Sequence, residues 1–176
     1  MASVEELVAK IESLEERVRQ CEDERKIREL LSRYGYNADC CRDDEYVALW
    51  TDDATYDLTI AMADRDQGGI TTRSWRGKDG IQALITDPNG HQLPDFYGHS
   101  MHVSSENLVI HVNGDTAVAN GYSLLYKEVG GEIQLLSAGS NEWRLKRVEG
   151  TWLIQGRKRG QTGTTGFATT LSATPA

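Results

Sequence analysis

The sequence has few of the features that would place a protein in a membrane or on a nucleic acid. No apolar run reaches the roughly 18 residues that a membrane span requires, and the N-terminal MASVEELVAK lacks the apolar core of a signal peptide. Acidic residues outnumber basic ones by 27 to 19, which gives a net charge of −8 and a pI near 5.0. The densest basic run, residues 157–159, is interpreted as a solvated strand edge. We therefore expect a cytoplasmic protein that binds neither nucleic acid nor membrane.

Cysteines and metal-binding motifs are also scarce. Cys21, Cys40 and Cys41 are odd in number, and two of them are adjacent, a spacing at which a disulfide forms only with strain. No CxxC or HxxxH spacing occurs, so no metal site is predicted. The glycines lie in predicted turns and not in a strand-to-helix loop that could cradle phosphate, so we expect no cofactor.

An amphipathic segment opens the chain. Its apolar residues recur at alternating spacings of three and four: Val4, Leu7, Ile11, Leu14, Val18 and Cys21. This heptad seam is typical of a two-stranded coiled coil, because one core position holds β-branched residues and the other holds leucine. A helix that lies on its own domain's sheet fits equally well. From Ile27 the apolar stripe changes phase, so we assign residues 1–23 to an N-terminal helical extension and expect a homodimer or higher homo-oligomer.

The rest of the sequence predicts helices followed by strands. Helices are predicted at about 24–40 and 45–50 and from Gly77, and strands at about 51–60, 70–75, 99–112, 116–128, 132–147 and 151–160. Asn-Gly and similar turns separate the last four strands. This order predicts one α+β domain over 24–160, with helices packed on one face of a curved antiparallel sheet. The loop over 86–95 is a candidate lid or a plain connector, and residues 161–176 are expected to form a flexible tail.

An aspartate and a histidine are the best candidates for chemistry. Asp39 ends a predicted helix, where the macrodipole disfavours negative charge, so its carboxylate needs a cationic or hydrogen-bonding partner. His102 lies on a predicted strand, on the face opposite Met101 and Val103. A histidine held by a carboxylate at one ring nitrogen offers the other as a general base. The pair therefore indicates proton abstraction, although a surface acid and a structural histidine would give the same residues, and His99 could replace His102.

Four segments carry a resemblance to a known family over about residues 24–160. They are IRELLSRYGYNADCCRDDEYVALWTDDATYDL, SWRGKDGIQALI, HVSSENLVIHVNGDTAVANGYSLLY and SAGSNEWRLKRVEGTWLIQGRK. In this order they resemble the SnoaL-like branch of the nuclear-transport-factor-2-like superfamily, which also holds scytalone dehydratase, bile-acid 7α-dehydratase and hexachlorocyclohexane dehydrochlorinase. The resemblance implies a cone-shaped α+β barrel whose cavity hosts many chemistries and some pure binders.

The resemblance also implies roles for single residues. Asp39 and His102 match the acid and histidine of the family's lyases, and Tyr34 matches the tyrosine that binds the substrate oxygen. The candidate substrate-binding residues are Tyr56, Ser140, Asn141, Arg157 and His99. His102 stands five residues before Asn107, where the family usually has four, so an inward-pointing side chain would call for a bulge.

The leading interpretation is a cofactor-independent, dehydratase-like lyase or isomerase that acts on a small apolar, ring-containing molecule. In it His102 takes a proton, Asp39 orients the imidazole, and Tyr34 or Tyr56 hydrogen-bonds the leaving or enolising oxygen. The expected apolar lining consists of Met62, Leu84, Phe96, Tyr122, Leu124, Trp143 and Phe167. The alternatives are a non-catalytic module that binds a small hydrophobe or serves assembly, and the small subunit of a ring-hydroxylating oxygenase.

Overall fold

The computed structural model describes residues 3–61, 69–88, 96–104 and 107–172. Its first element, α1 (Val4–Asp39), is one helix of 36 residues. A capping box closes its start: the Glu6 N–H donates to the Ser3 hydroxyl, and the Ser3 N–H donates to the Glu6 carboxylate. The boundary predicted between residues 23 and 24 does not interrupt this helix. The change of phase at Ile27 alters only the face on which the apolar residues lie.

The other elements follow the predicted order. They are α2 (Asp43–Ala48), β1 (Trp50–Ala61), β2 (Ile70–Arg76), α3 (Gly77–Ile85), β3 (Ser100–Val103), β4 (Val109–Asn113), β5 (Thr116–Val129), β6 (Glu132–Val148), β7 (Thr151–Gln161) and α4 (Thr165–Ser172). The single strand expected over 99–112 is therefore two short strands, and both pair with β5. The candidate lid over 86–95 lies outside the described residues from position 89 onward.

The strands form one curved sheet in the order β2-β1-β7-β6-β5-β3, with β4 also paired to β5. β1 and β7 run parallel, and every other pairing is antiparallel. Register shifts between Leu125 and Tyr126 and between Arg144 and Leu145 mark irregularities of the kind that bend strands. Among the described strands the sheet does not close, so the fold is the open form of the cone expected from the sequence.

The core lies between the sheet and the second half of α1. Its largest fully buried side chains include Ile27, Leu31, Tyr34, Tyr46, Trp50, Trp143, Leu145 and Ile154. This packing orders the C-terminal end of α1 against β3. Over the described residues, no helix is both long enough and apolar enough to cross a bilayer.

The first half of α1 has no such packing. The apolar side chains of the seam, from Val4 to Val18, are between 49% and 77% exposed. The alternative in which this helix lies on its own domain's sheet is therefore wrong. The helix instead projects from the domain with its apolar stripe in solvent.

The predicted flexible tail is corrected over Thr165–Ser172, where α4 packs on β6 and β7. The Ser140 hydroxyl donates to the Phe167 carbonyl oxygen at 2.9 Å and also pairs with the Thr170 hydroxyl. A Cβ at Gly160 would lie 2.1 Å from the Gly166 backbone, so only glycine lets the helix approach β7. The tail has few apolar residues, so α4 is held to the sheet mainly by hydroxyl hydrogen bonds and by close approach at glycines.

Candidate active site

Asp39 and His102 form a pair where α1 ends against β3. The Asp39 Oδ1 atom lies 2.6 Å from the His102 Nδ1 atom and accepts from the Ser100 hydroxyl at 3.1 Å. Its Oδ2 atom accepts from the His102 backbone N–H at 2.7 Å. The side chains are only 16% and 13% exposed. These hydrogen-bond donors offset the unfavourable interaction of the Asp39 carboxylate with the negative, C-terminal end of the helix dipole. The predicted contact between the two residues is present, and their catalytic role stays a prediction.

Gly35 lets α1 approach β3 closely enough for this contact. It lies one helical turn before Asp39 on the same side of the helix. A Cβ at position 35 would lie 3.2 Å from the His102 carbonyl oxygen and 3.3 Å from the His102 Cβ atom. The pairing of β3 with β5 is continuous from Ser100 to Val103, so His102 itself does not lie at a bulge. The expected irregularity lies beyond it, because the chain advances six residues from Val103 to Val109 while the opposing β5 covers only four, from Leu124 to Asn120.

A second polar group surrounds the guanidinium of Arg157 on the inner face of β7. Arg157 donates to the Tyr34 hydroxyl, to the Tyr56 hydroxyl at 3.1 Å, and to the Asn141 Oδ1 atom at 2.9 and 2.7 Å. The rings of Trp143, Tyr34 and Tyr56 lie 4.3 to 4.8 Å from the guanidinium carbon, within cation–π range. The structure thus brings together four of the residues that the sequence proposed for substrate binding or catalysis.

This group is centred on a buried cation. Arg157 is 3% exposed, and in the described parts of the chain no acidic side chain forms an ion pair with it. Burial raises the pKa of Tyr34 to about 12, against the opposing effect of the Arg157 charge. Tyr34 therefore keeps its proton at neutral pH and can donate it to an oxygen.

Arg159 is an inward-facing residue that the sequence reading missed. Its Nε atom donates to the Ser123 hydroxyl at 3.0 Å and its Nη2 atom to the Ser137 hydroxyl at 2.9 Å. Burial lowers its pKa below the ordinary value. The solvated-edge interpretation of residues 157–159 is wrong, because β7 lies between β1 and β6 and only the Lys158 side chain faces outward, 3.8 Å from Glu142. The sequence signal for this arrangement is the alternation of strand side chains, which places Arg157 and Arg159 on one face and Lys158 on the other.

Two predicted site residues lie elsewhere. His99 is on the surface, where its Nδ1 atom lies 2.6 Å from the Glu128 carboxylate. Ser140 faces α4 on the outer side of the sheet, because it is adjacent to Asn141 and neighbouring residues on a strand point to opposite faces. Of the expected apolar lining, Tyr122, Leu124 and Phe167 also lie on that outer side. Met62 falls outside the described residues.

Both polar groups lie on the side of the sheet that α1 covers. The helix contributes Tyr34 to one and Asp39 to the other, about 7.5 Å apart along its axis at 1.5 Å per residue. Within the described ranges, no three His, Cys, Asp or Glu side chains cluster closely enough to bind a metal ion. The inner face therefore combines a carboxylate-bound imidazole with a donor-rich cationic group.

The chain is similar in sequence and in fold to known proteins. A family model for the SnoaL-like domain matches residues 19–158, whereas no curated protein sequence gives a match. An NTF2-like protein with a cystatin-like fold from Novosphingobium aromaticivorans is 26% identical, with a TM-score of 0.75 over 97% of this chain and 98% of that one. A hexachlorocyclohexane dehydrochlorinase, LinA type 2, is 17% identical, with a TM-score of 0.62 over 83% of this chain and 89% of its own.

A third similar structure is a protein assigned as the beta subunit of an aromatic-ring-hydroxylating dioxygenase from Novosphingobium aromaticivorans. It is 20% identical, with a TM-score of 0.64 over 84% of this chain and 93% of that one. At these identities the dehydrochlorinase and the dioxygenase subunit show the shared fold alone.

Proposed function

Because the chain belongs to the SnoaL-like domain family of the NTF2-like superfamily, we propose that it is a cofactor-independent lyase or isomerase. It would remove a proton from a small, apolar, ring-containing substrate. The observation that carries this proposal is the 2.6 Å contact between the Asp39 carboxylate and the His102 imidazole. An imidazole oriented by a carboxylate is the usual general base for such proton transfers.

Each member of the pair has a defined task. An ionised Asp39 accepts from the Nδ1–H of His102, which makes Nε2 the ring nitrogen that takes the substrate proton. The carboxylate then stabilises the imidazolium that forms. Ser100 and the His102 backbone N–H hold the carboxylate at both oxygens, so its orientation does not depend on the imidazole alone.

The group around Arg157 supplies the complementary electrophilic part. Arg157 donates to the oxygens of Tyr34 and Tyr56, which leaves each hydroxyl proton to be directed at another acceptor. As the C–H bond breaks, its electron pair passes to a substrate carbonyl oxygen in an isomerisation or expels a leaving group in an elimination. Donors beside a buried cation stabilise the negative charge that develops in either case. Arg159 adds positive charge on the same face.

An apolar ring is the substrate class that suits the surroundings. Tyr34, Tyr46, Trp50 and Trp143 form a contiguous set of rings beside Arg157, with centroids 5.0 to 6.2 Å apart. Flat or cyclic apolar molecules pack well against such rings. The fold shared with a dehydrochlorinase whose name specifies a halogenated cyclohexane supports the same class.

Proton exchange provides a test that does not require the substrate to be known. Cyclic ketones and cyclic β-hydroxy ketones would be incubated with the protein in D2O, and loss of the C–H signal next to the carbonyl would be followed by NMR. We expect exchange or elimination with the full chain and rates about 10²- to 10⁴-fold lower with His102→Ala or Asp39→Asn. His99→Ala is the matched control, because His99 also contacts a carboxylate at 2.6 Å but lies on the surface. Exchange by His102→Ala at the rate of the full chain would refute the proposal.

A non-catalytic role in assembly is the second candidate. The likeness to a dioxygenase beta subunit favours it at the level of fold. It predicts co-purification with a large iron–sulfur subunit and no exchange with any compound, and His102→Ala would then leave that association unchanged.

A further inference from the structure

We propose that residues 4–21 of α1 form a parallel, in-register, two-stranded coiled coil with a second copy of this chain. The seam is helical throughout and lies in solvent. An apolar stripe of this length on a projecting helix needs a partner, and a second copy offers an identical stripe.

The order of residue types along the seam specifies two parallel strands. Val4, Ile11 and Val18 occupy the first heptad core position, and Leu7, Leu14 and Cys21 occupy the second. β-branched residues at the first position with leucine at the second favour a parallel dimer.

The helix surface also has the shape that such a partner requires. A cleft lies between Leu14, Arg17, Val18 and Cys21, with Glu22 and Arg25 at its border. Those first four residues form the hole that receives a side chain from the first core position of a facing helix. In a parallel, in-register pair that side chain is Val18 of the second copy.

The flanking charges decide the direction of the pair. In a parallel coil Lys10 lies beside Glu15 of the second copy, and Arg17 lies beside Glu22 of the second copy. Twofold symmetry gives each attractive contact twice. In the antiparallel register that buries all six seam residues, Lys10 would instead face Arg17, and two like charges would repel each other. Only the parallel arrangement matches the sequence of charges.

The globular domain does not obstruct this arrangement. At 100° per residue, the seam and the buried face of α1 that begins at Asp23 and Ile27 lie roughly 170° apart around the helix. Each domain therefore lies on the far side of its own helix from the partner helix. Two domains could then sit side by side at one end of the coil.

Cys21 gives the arrangement a chemical test. In the parallel pair the two Cys21 side chains share one core layer, whereas in the antiparallel pair they would be about 26 Å apart along the axis at 1.5 Å per residue. Diamide removes two hydrogens from a pair of thiols, forming one disulfide, and is itself reduced to the hydrazine. A Cys40→Ser/Cys41→Ser chain of full length keeps Cys21 as its one thiol.

We expect this chain to become a covalent dimer on non-reducing gels, and a reductant should reverse the change. Adding Leu14→Asp should slow crosslinking about tenfold by weakening association, while circular dichroism shows that the domain stays folded. Crosslinking at an equal rate in the Leu14→Asp chain would mean random collision of exposed thiols and would overturn the proposal. So would a dimer in light scattering that does not crosslink at Cys21.

Charge reversal tests the direction independently. Lys10→Glu/Arg17→Glu and Glu15→Lys/Glu22→Lys should each weaken the homodimer, because each places like charges beside one another. An equimolar mixture of the two variants should form a heterodimer about tenfold tighter than either homodimer. Variants that dimerise as well alone as in the mixture would refute the parallel register.

Discussion

Asp23 and Asp39 lie on the same helix and are both hydrogen-bonded to several donors, yet their partners differ. Asp23 is 2% exposed. Its carboxylate accepts hydrogen bonds from both terminal nitrogens of Arg147 at 2.8 and 2.7 Å and from the Trp152 indole N–H at 3.0 Å. Asp39 accepts from a histidine, a serine and a backbone N–H. The first group joins the start of the packed part of α1 to the β6–β7 hairpin, and the second lies where α1 ends.

The chemistry of the partner separates a structural carboxylate from a candidate catalytic one. Arginine keeps its charge at every physiological pH, so the Asp23–Arg147 pair is a fixed ion pair. An imidazole can accept a proton at one ring nitrogen and release it again, so the Asp39–His102 pair can take a substrate proton and return it. The number of hydrogen bonds, three for each aspartate, does not distinguish the two functions.

The largest effect is expected on catalysis. His102→Ala and Asp39→Asn should lower turnover by about 10²- to 10⁴-fold, the usual contribution of a positioned base, and leave the cooperative unfolding transition in place. Asp23→Asn should leave turnover per folded molecule unchanged. Steady-state rates, normalised by the folded fraction from circular dichroism, measure both. A rate loss in Asp23→Asn equal to that in Asp39→Asn would show that the two aspartates do not differ in their contribution to catalysis.

The converse effect is expected on stability. Asp23→Asn leaves Arg147 without its buried partner and should lower the free energy of unfolding by about 2–4 kcal/mol. Asp115→Asn is the matched control, since Asp115 contacts the same guanidinium at 3.0 Å with a side chain that is 79% exposed, and it should cost less than about 1 kcal/mol. Urea unfolding measures both changes, and equal losses would show that burial of Asp23 is not what matters.

The stability contribution of Asp23 should depend on pH. The Arg147 hydrogen bonds hold the pKa of Asp23 below its ordinary 3.8. A carboxyl whose pKa is lower in the folded state contributes stability that is present above 3.8 and is lost as the pH falls through the folded-state pKa. The difference in unfolding free energy between the full chain and Asp23→Asn should therefore shrink in acid. A difference that stays constant from neutral to acid pH would show that the charge of Asp23 contributes nothing.

The smallest effect is expected at Gly35. Gly35→Ala places a methyl group against His102 and should move α1 away from β3, so turnover falls several-fold. Higher helix propensity of alanine offsets part of the crowding, and stability should change by no more than about 1 kcal/mol. Ala38→Gly is a useful comparison, since it alters helix propensity near the same end without approaching His102. Unchanged turnover in Gly35→Ala would show that the helix position tolerates this shift.

Local signals in the sequence identify much of the fold and one half of the site. Asn-Gly turns mark the hairpin of β4 and β5, and the position of Asp39 at a helix end predicts its need for a partner. Alternation also places Arg157 and Arg159 on one face, but a run of three basic residues is more typical of a solvated surface, and this hides their inward direction. Strand alternation separates Ser140 from Asn141 without saying which faces inward, because that depends on which side of the sheet α1 covers.

Contacts made by loops and by small residues are harder to predict. His99 precedes β3 in a turn, and nothing in its sequence neighbours directs it to Glu128. The packing of α4 rests on Gly160 and Gly166 and on hydroxyl hydrogen bonds, none of which produces an apolar pattern. In both places the structure depends on residues distant in sequence.

Chemical rescue of His102→Gly is the most direct test of the claim that this imidazole removes the substrate proton. The account predicts that the variant neither exchanges nor eliminates substrate protons alone and regains part of its activity when free imidazole is added. Rescue should be weaker in His102→Gly/Asp39→Asn, because no carboxylate would orient the added base. Substrate turnover by His102→Gly at the rate of the full chain without imidazole would contradict the account.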